Sequence, residues 1–301
     1  MTLPSLTTEL TPTAPFDFDQ SLKFLGLFPP TQAEQTVADH SLTKATCLAG
    51  QPLAFQVTTK GTIEQPALAV TLSAAQPISP ATEQLALDQI SFFLSLDDEL
   101  ASFYAVGRED AAFAPVLNQL YGYHQVKFLT PFENACWAIF TQRNPMPLAQ
   151  RMKRALIEHF DLYLDLEQGR YWAFPEAAQV ATLSGETLAT LLQNNQKAGY
   201  LLSAAQAFAQ VDPSFLRHGP YDDVKAWLQN IKGLGAWSAE FILIRGLGRM
   251  AQAAFSEKRL LAVINQRYAN GQPLTQSQAQ EIAQSYGPWQ GYWAHYLRAA
   301  E

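Results

Sequence analysis

The sequence predicts an α+β domain followed by a mostly α-helical half. Three observations carry this. Between about Phe16 and Asp110, β-branched runs are punctuated by Gly and Pro. After about Ala111, apolar residues recur at i, i+3, i+4 and i+7 in one segment after another. The 301 residues are 48% hydrophobic and 12% aromatic, which supplies a large core and suits two or three domains of roughly 100–200 residues.

Residues 1–15, MTLPSLTTELTPTAP, are polar and rich in Pro and Thr, and read as a flexible leader. They have no basic segment or apolar core that would make a signal peptide. In 16–110, TKATCLAGQPLAFQVTTKG and ALAVTLSA read as strands, while PATEQLALDQISFFLSL has a Pro start and a period near 3.6, so it reads as a helix. The span 111–301 reads as all-α. Its helical segments are FENACWAIFTQ, PLAQRMKRALIEHF, GETLATLL, NQKAGYLLSAAQAFAQV, YDDVKAWLQNI, AEFILIRGLG, RLLAVINQRY and QSQAQEIAQSYG, joined by short links of Pro, Gly, Asp and Asn.

Composition also excludes several classes. No apolar stretch approaches the ~18–20 residues that cross a bilayer. Cys47 and Cys136 are too few for a disulfide framework or a four-thiolate cluster. His124 has no companion at ligand spacing, so no metal site is expected. The expectation is a soluble, cytoplasmic monomer without a membrane partner. The net charge of −7 is unevenly spread: residues 1–130 hold 5 basic and 13 acidic side chains, and residues 131–301 hold 15 and 14. The acidic surplus lies in the first part, which leaves room for a modest basic face on the second.

The stretch DVKAWLQNIKGLGAWSAEFILIRGLG reads as helix, tight turn, helix. Val224, Trp227, Leu228 and Ile231 form the apolar face of the first helix, and the second starts near Ala236. Gly233 and Gly235 allow backbone angles that a side chain forbids. The first N–H groups of the second helix then point outward, and with the helix dipole they attract an anion. Close packing of two helices is the alternative use of the same glycines. A dinucleotide fingerprint fits poorly, because the motif follows a helix and lacks the third glycine.

IKGLGAWSAEFILIRGLG resembles the hairpin of the helix-hairpin-helix DNA glycosylases, most of all the DNA-3-methyladenine glycosylase II family and its PGIGxWTAxYxxLRGxG pattern. Further stretches match that family in the same order: PFDFDQSLKFLGLF with QTVADHSL, TPFENACWAIFTQRNP, FPEAAQVATLS, NNQKAGYLLSAAQAF, and LTQSQAQEIAQSYGPWQGYWAHYL. Together they cover roughly residues 16–298. The resemblance implies an α+β amino-terminal domain followed by a helix-hairpin-helix glycosylase core of two helical subdomains. It also implies a partner, double-stranded DNA containing a modified base, with a nucleotide flipped out and its N-glycosidic bond cut. No cofactor is implied, though the resemblance allows a monovalent cation at the hairpin.

The resemblance implies roles residue by residue. Trp237 would line the base pocket, and since Trp cannot form a Schiff base the enzyme would be a monofunctional hydrolase. Phe241, Trp289 and Trp293 would complete an aromatic cage, and Gln142 would lie near the flipped nucleotide. Tyr123, His124 and Gln125 fall where a wedge fills the gap left by the base. Gly233, Gly235 and Ala236, with Lys232, Arg245, Arg249, Lys258 and Arg259, would hold the DNA backbone. Ordinary core packing is the competing use of the aromatic residues, and a solvated surface that of the charged ones.

One feature of the family is missing. Its catalytic Asp lies about twenty residues beyond the Trp, and here that region is RMAQAAFSEKRLLAV. Ungapped counting puts Glu257 in its place; anchoring on Phe255 puts Arg259 there. No Asp follows Asp223. Two further readings therefore stand beside a glycosylase using Glu257: a protein that binds or bends damaged DNA without chemistry, and a helical scaffold that binds protein.

Overall fold

The computed structural model describes residues 3–31, 34–255 and 257–301, the side chain of Lys258 excepted. Among the described residues, five strands form one antiparallel sheet in the order β1-β5-β4-β3-β2. They are β1 (Ser5–Leu10), β2 (Gln35–Ala38), β3 (Ser41–Leu48), β4 (Gln51–Thr59) and β5 (Leu68–Ala74). β1 corrects the expected leader. Its alternating Leu6, Thr8 and Leu10 pair in register with Leu72, Val70 and Leu68 of β5, so a stretch that looks polar and Pro-rich closes one edge of the sheet.

Helices α1 (Phe18–Leu27), α2 (Pro80–Leu94), α3 (Ala101–Glu109) and α4 (Ala114–Gln119) accompany the sheet. Asp17 caps α1 and Ser79 caps α2, each accepting a hydrogen bond from a backbone amide of the first turn. Then follow α5 (Pro131–Thr141), α6 (Met146–Phe160), β6 (Tyr163–Leu166), β7 (Gly169–Trp172), α7 (Ala177–Ala181), α8 (Gly185–Leu192), α9 (Asn195–Gln210), α10 (Pro213–His218), α11 (Tyr221–Asn230), α12 (Ala236–Arg245), α13 (Lys258–Tyr268), α14 (Gln276–Gln284) and α15 (Gln290–Ala299). The β6–β7 hairpin departs from the all-α expectation. Its turn is set by Gly169 at φ 137°, and Arg170 grips Asp165 through two hydrogen bonds of 2.8 and 2.9 Å. The hairpin exists because it has a surface to cover: Tyr171 and Ala173 pack on Ala45 and Cys47 of β3.

Two cores organise the chain. One joins α1, the sheet and α2–α4 to the last three helices, through Leu260, Ile264, Tyr286, Trp293 and Leu297 among others. The other is built from α5–α12, with Trp137, Phe140, Leu201, Leu228, Ile242 and Leu243 in it. The end of α12 lies on the seam. The Phe128 amide donates to the Arg245 carbonyl at 2.7 Å, and the Gly291 amide donates to the Met250 carbonyl at 2.8 Å. A buried ion pair also spans elements: Lys153 Nζ on α6 lies 2.7 Å from both Glu133 Oε1 on α5 and Glu34 Oε2 before β2. Burial alone would raise the Glu133 carboxyl, but the Lys153 and Lys44 ammoniums reverse this and hold it below the ordinary range.

Candidate active site

The hairpin between α11 and α12 separates the two uses of its glycines. Gly233 has φ 95°, and a Cβ there would sit 2.3 Å from Cγ of Tyr200, so both backbone and space demand glycine. Gly235 has φ −87° and nothing within 4 Å of an added Cβ. Gly233 is a packing glycine, and Gly235 keeps the mouth of α12 bare. Gly235, Ala236 and Trp237 are all exposed, and no side chain caps the helix. The turn is tied to α5 by Gln142, whose Nε2 donates to the Gly233 carbonyl at 2.7 Å.

From that open end one face of α12 runs inward. Trp237, Phe241 and Arg245 stand at i, i+4 and i+8, so they share a stripe about 12 Å long. Trp237 is 44% exposed and stacks on Phe241, with ring centroids 5.3 Å apart and planes 8° from parallel. Phe241 meets Phe128 edge-on at 6.0 Å, Phe128 meets Phe28 at 5.2 Å, and Phe28 meets Phe24 at 5.0 Å. The guanidinium of Arg245 closes the series, 4.6 Å from the Phe24 ring centre and 5.0 Å from that of Phe28.

Near this buried end lies a partly exposed carboxylate whose charge is felt by Arg245. Glu257, the residue before α13, is ion-paired through Oε1 with the Arg298 guanidinium of α15. One turn earlier on α15, the His295 ring stacks on Tyr123 at 5.4 Å, with its Nε2 3.1 Å from the Tyr123 hydroxyl. Burial, with Arg245 and Arg298 adding to it, holds the His295 imidazole well below its ordinary value, hence neutral. Burial pushes the Arg245 guanidinium down to about 10, so it keeps its charge at neutral pH. The arrangement combines an anion-attracting backbone end, a stacking surface, and a carboxylate near the inner end of the stripe.

No family profile matches the chain. The DNA-3-methyladenine glycosylase of Bacillus subtilis is 24% identical over 229 residues, covering 75% of each protein. Among solved structures, a 3-methyladenine DNA-glycosylase from Archaeoglobus fulgidus superposes with a TM-score of 0.78 at 17% identity, over 96% of both chains. The Clostridium acetobutylicum 8-oxoguanine glycosylase/lyase in complex with double-stranded DNA gives a TM-score of 0.68 at 12% identity, over 99% of this chain and 98% of the other. The chain has the helix-hairpin-helix DNA glycosylase fold.

Within this glycosylase fold, the structure brings together Gly233, Gly235, Ala236, Trp237, Phe241 and Gln142, and it corrects other expectations. Tyr123, His124 and Gln125 are buried and cannot act as a wedge. The two His124 ring nitrogens lie 2.6 Å from the Ser95 carbonyl and 3.0 Å from the Pro15 carbonyl. Trp293 is fully buried in the first core, donating from Nε1 to the Tyr268 hydroxyl at 2.9 Å. Trp289 packs on Phe103 and Tyr292 and donates to Ser102, so its contacts lie on α3 and α15 instead of with Trp237. Arg245 is not a surface phosphate ligand. Nor is Arg249, whose guanidinium donates to the carbonyls of Leu216, Arg217 and Gly219 at the end of α10. Lys232 is exposed beside the turn, and Arg259 is exposed and paired with Glu301 at 3.0 Å. The Lys258 side chain lies outside the described residues.

Sequence reading missed Phe24, Phe28, His295 and Arg298, which come from the two ends of the chain and meet only after folding. It also missed the tip between α5 and α6. Arg143 is exposed there in the left-handed region at φ 54°, directly after the Gln142 that holds the hairpin, and Met146 nearby is 43% exposed. Arg143 shares its positive φ with six other described non-glycine residues, so its exposure beside the hairpin, and not its backbone angle, marks it as a candidate. A cavity of about 280 Å³ lined by Pro29, Pro30, Lys153 and Trp172 contains none of the expected pocket residues.

Proposed function

We propose that this protein is a monofunctional DNA glycosylase that extrudes an alkylated or otherwise modified base from duplex DNA and hydrolyses its N-glycosidic bond. The observation that carries this reading is the exposed Trp237 at a bare helix end, stacked on Phe241. The free amides at the start of α12 bind a backbone phosphate, with Lys232 beside them. The extruded base stacks on Trp237 and Phe241. Glu257 stabilises the developing positive charge on the sugar and orients water through the carboxylate oxygen that Arg298 does not hold. The water oxygen bonds to C1′, the C1′–N bond breaks with its electrons going to the base, one water proton passes by way of the carboxylate to the departing base, and the other stays on the new C1′ hydroxyl. The tip carrying Arg143 and Met146, fixed to the hairpin through Gln142, occupies the gap in the duplex.

The test is incubation with duplexes carrying 3- or 7-methylpurines, deaminated bases or modified cytosines, followed by alkali. Strand nicks after alkali, with no protein–DNA adduct trapped by borohydride, are expected. Absence of an abasic product from every duplex overturns the assignment. Binding without cleavage would leave the non-catalytic DNA-binding reading.

A further inference from the structure

Lys197, on α9, has no part in the reading above, and its surroundings are unusual for a lysine. The residue is 5% exposed. Its Nζ donates to the carbonyls of Ile139, Phe140 and Gln142 at 2.5, 3.3 and 2.9 Å. Burial lowers its pKa, and no carboxylate among the described residues offsets this. The three carbonyls belong to the last turn of α5, which leaves them without partners of its own and where the helix dipole favours a cation. The chain leaves α5 here: Gln142 is the C-cap, and Arg143 follows, exposed, at φ 54°. Gln142 is gripped twice. Lys197 holds its main-chain oxygen, while its own Nε2 donates to the Gly233 carbonyl at 2.7 Å and reaches Ser238 Oγ at 3.4 Å. One turn along α9 from Lys197, the Tyr200 ring presses on Gly233 and leaves no room for a Cβ. One face of α9 thus touches both the root of the Arg143 tip and the turn that bares α12.

We propose that Lys197 is a positioning residue: from inside α9 it sets how the Arg143 tip stands relative to the bare end of α12, so that the tip meets the gap in the duplex while the strand is held. This rests on the glycosylase reading and on the tip named there. Lys197 is shut away from solvent and all three of its donors are used, so it acts on DNA only through Gln142 and Arg143. An apolar side chain of the same length would fill the space without burying a charge. What the ammonium adds is three directed hydrogen bonds that fix where the chain turns out of α5. The hairpin and the tip are then held to one spacing, which is what insertion beside a gripped phosphate requires.

The test is fluorescence anisotropy with the full chain and two duplexes of one sequence, one intact and one with a tetrahydrofuran abasic analogue. The intact duplex must be unstacked before the tip enters and the abasic one need not, so the wild type is expected to prefer the abasic duplex by roughly tenfold or more. Lys197→Met is expected to cut that ratio by about fivefold or more and to leave the slope of log affinity against log salt unchanged, since the phosphate contacts remain. Lys197→Gln, shorter and uncharged, is expected to do the same and serves if the methionine variant does not fold. Arg143→Gly removes the side chain of the tip at a backbone angle that glycine accepts, and is expected to cut the ratio as well. Adding Lys197→Met to it is expected to lower the ratio no further, because the lysine acts through the tip. An unchanged ratio in a folded Lys197 variant, even with weaker binding of both duplexes, overturns the inference. So do losses that add in the double variant, and so does unfolding of both Lys197 variants, which would make the lysine a requirement of the fold alone. A wild type that binds both duplexes equally removes the tip and this inference with it but not base excision, whereas failure to bind either duplex removes the glycosylase reading itself.

Discussion

Two glycines one residue apart should respond to substitution in opposite ways. Gly233→Ala forces a side chain into the left-handed region, which costs roughly 1–2 kcal/mol. It also drives a methyl group against the Tyr200 ring, where the contacts would be 2.3–2.7 Å; overpacking of this kind costs about 1–3 kcal/mol more. A loss of about 2–5 kcal/mol is a large share of the roughly 5–15 kcal/mol that stabilises a folded protein. A Cβ at Gly235 meets nothing within 4 Å and φ is ordinary, so Gly235→Leu should cost only about 0.5–1 kcal/mol, from the loss of a favourable residue at the N-cap of α12. It does place a side chain where a phosphate must approach the open amides. Charge-assisted hydrogen bonds contribute about 1.5–3 kcal/mol each, so loss of one corresponds to roughly 10- to 150-fold weaker duplex binding. Denaturant midpoints measure the first effect and anisotropy with a duplex at fixed salt measures the second. A folded Gly235→Leu variant that binds DNA as tightly as the wild type would refute the idea that this helix end grips the strand.

Further expectations follow from the same geometry. Glu257→Gln should slow base excision by about three orders of magnitude or more while leaving duplex affinity within a few-fold, measured by single-turnover kinetics. Trp237→Ala should weaken binding to an abasic-analogue duplex less than binding to a damaged one, the difference being roughly 5- to 150-fold for a lost stack of about 1–3 kcal/mol. Lys232→Ala should reduce the slope of log affinity against log salt by about 0.9, whereas Arg249→Ala should lower the unfolding midpoint and leave the slope alone. The Glu133 carboxyl is held low in the folded state, so the stability it contributes is present at neutral pH. That contribution fades as pH falls below the ordinary Glu range of about 4.3 and through the lower folded value. Glu133→Gln should cost about 3–5 kcal/mol at pH 7 and flatten the acid limb of a stability–pH curve.

The hairpin was legible in the sequence because its determinants are local: two glycines, an apolar run and a helix start within twenty residues. Trp237 and Phe241 were singled out by the family resemblance, and their i, i+4 spacing puts them on one face of α12. The wedge was misplaced for the opposite reason. Tyr, His and Gln look like surface residues, yet the partners that bury them, Pro15, Ser95 and His295, lie 29 to 172 positions away. Arg249 likewise looks like a phosphate ligand until folding brings the carbonyls of α10 to it. The amino-terminal strand was lost to composition, since Thr and Pro suggested a loose segment where Leu6 and Leu10 alternate against β5.

The shared core of the sheet and the last helices has a consequence for synthesis. Leu72 leaves the ribosome roughly 190 residues ahead of Leu260, and at about 5–20 residues per second that is on the order of 10–40 s. Throughout that delay the sheet has α1–α4 to pack against but lacks the part of its core that Leu260, Ile264, Trp293 and Leu297 supply, while the stretch from α5 to α12 already holds most of its own interior. The amino-terminal part therefore completes its core only once the last three helices have emerged, well after the middle of the protein can close its own.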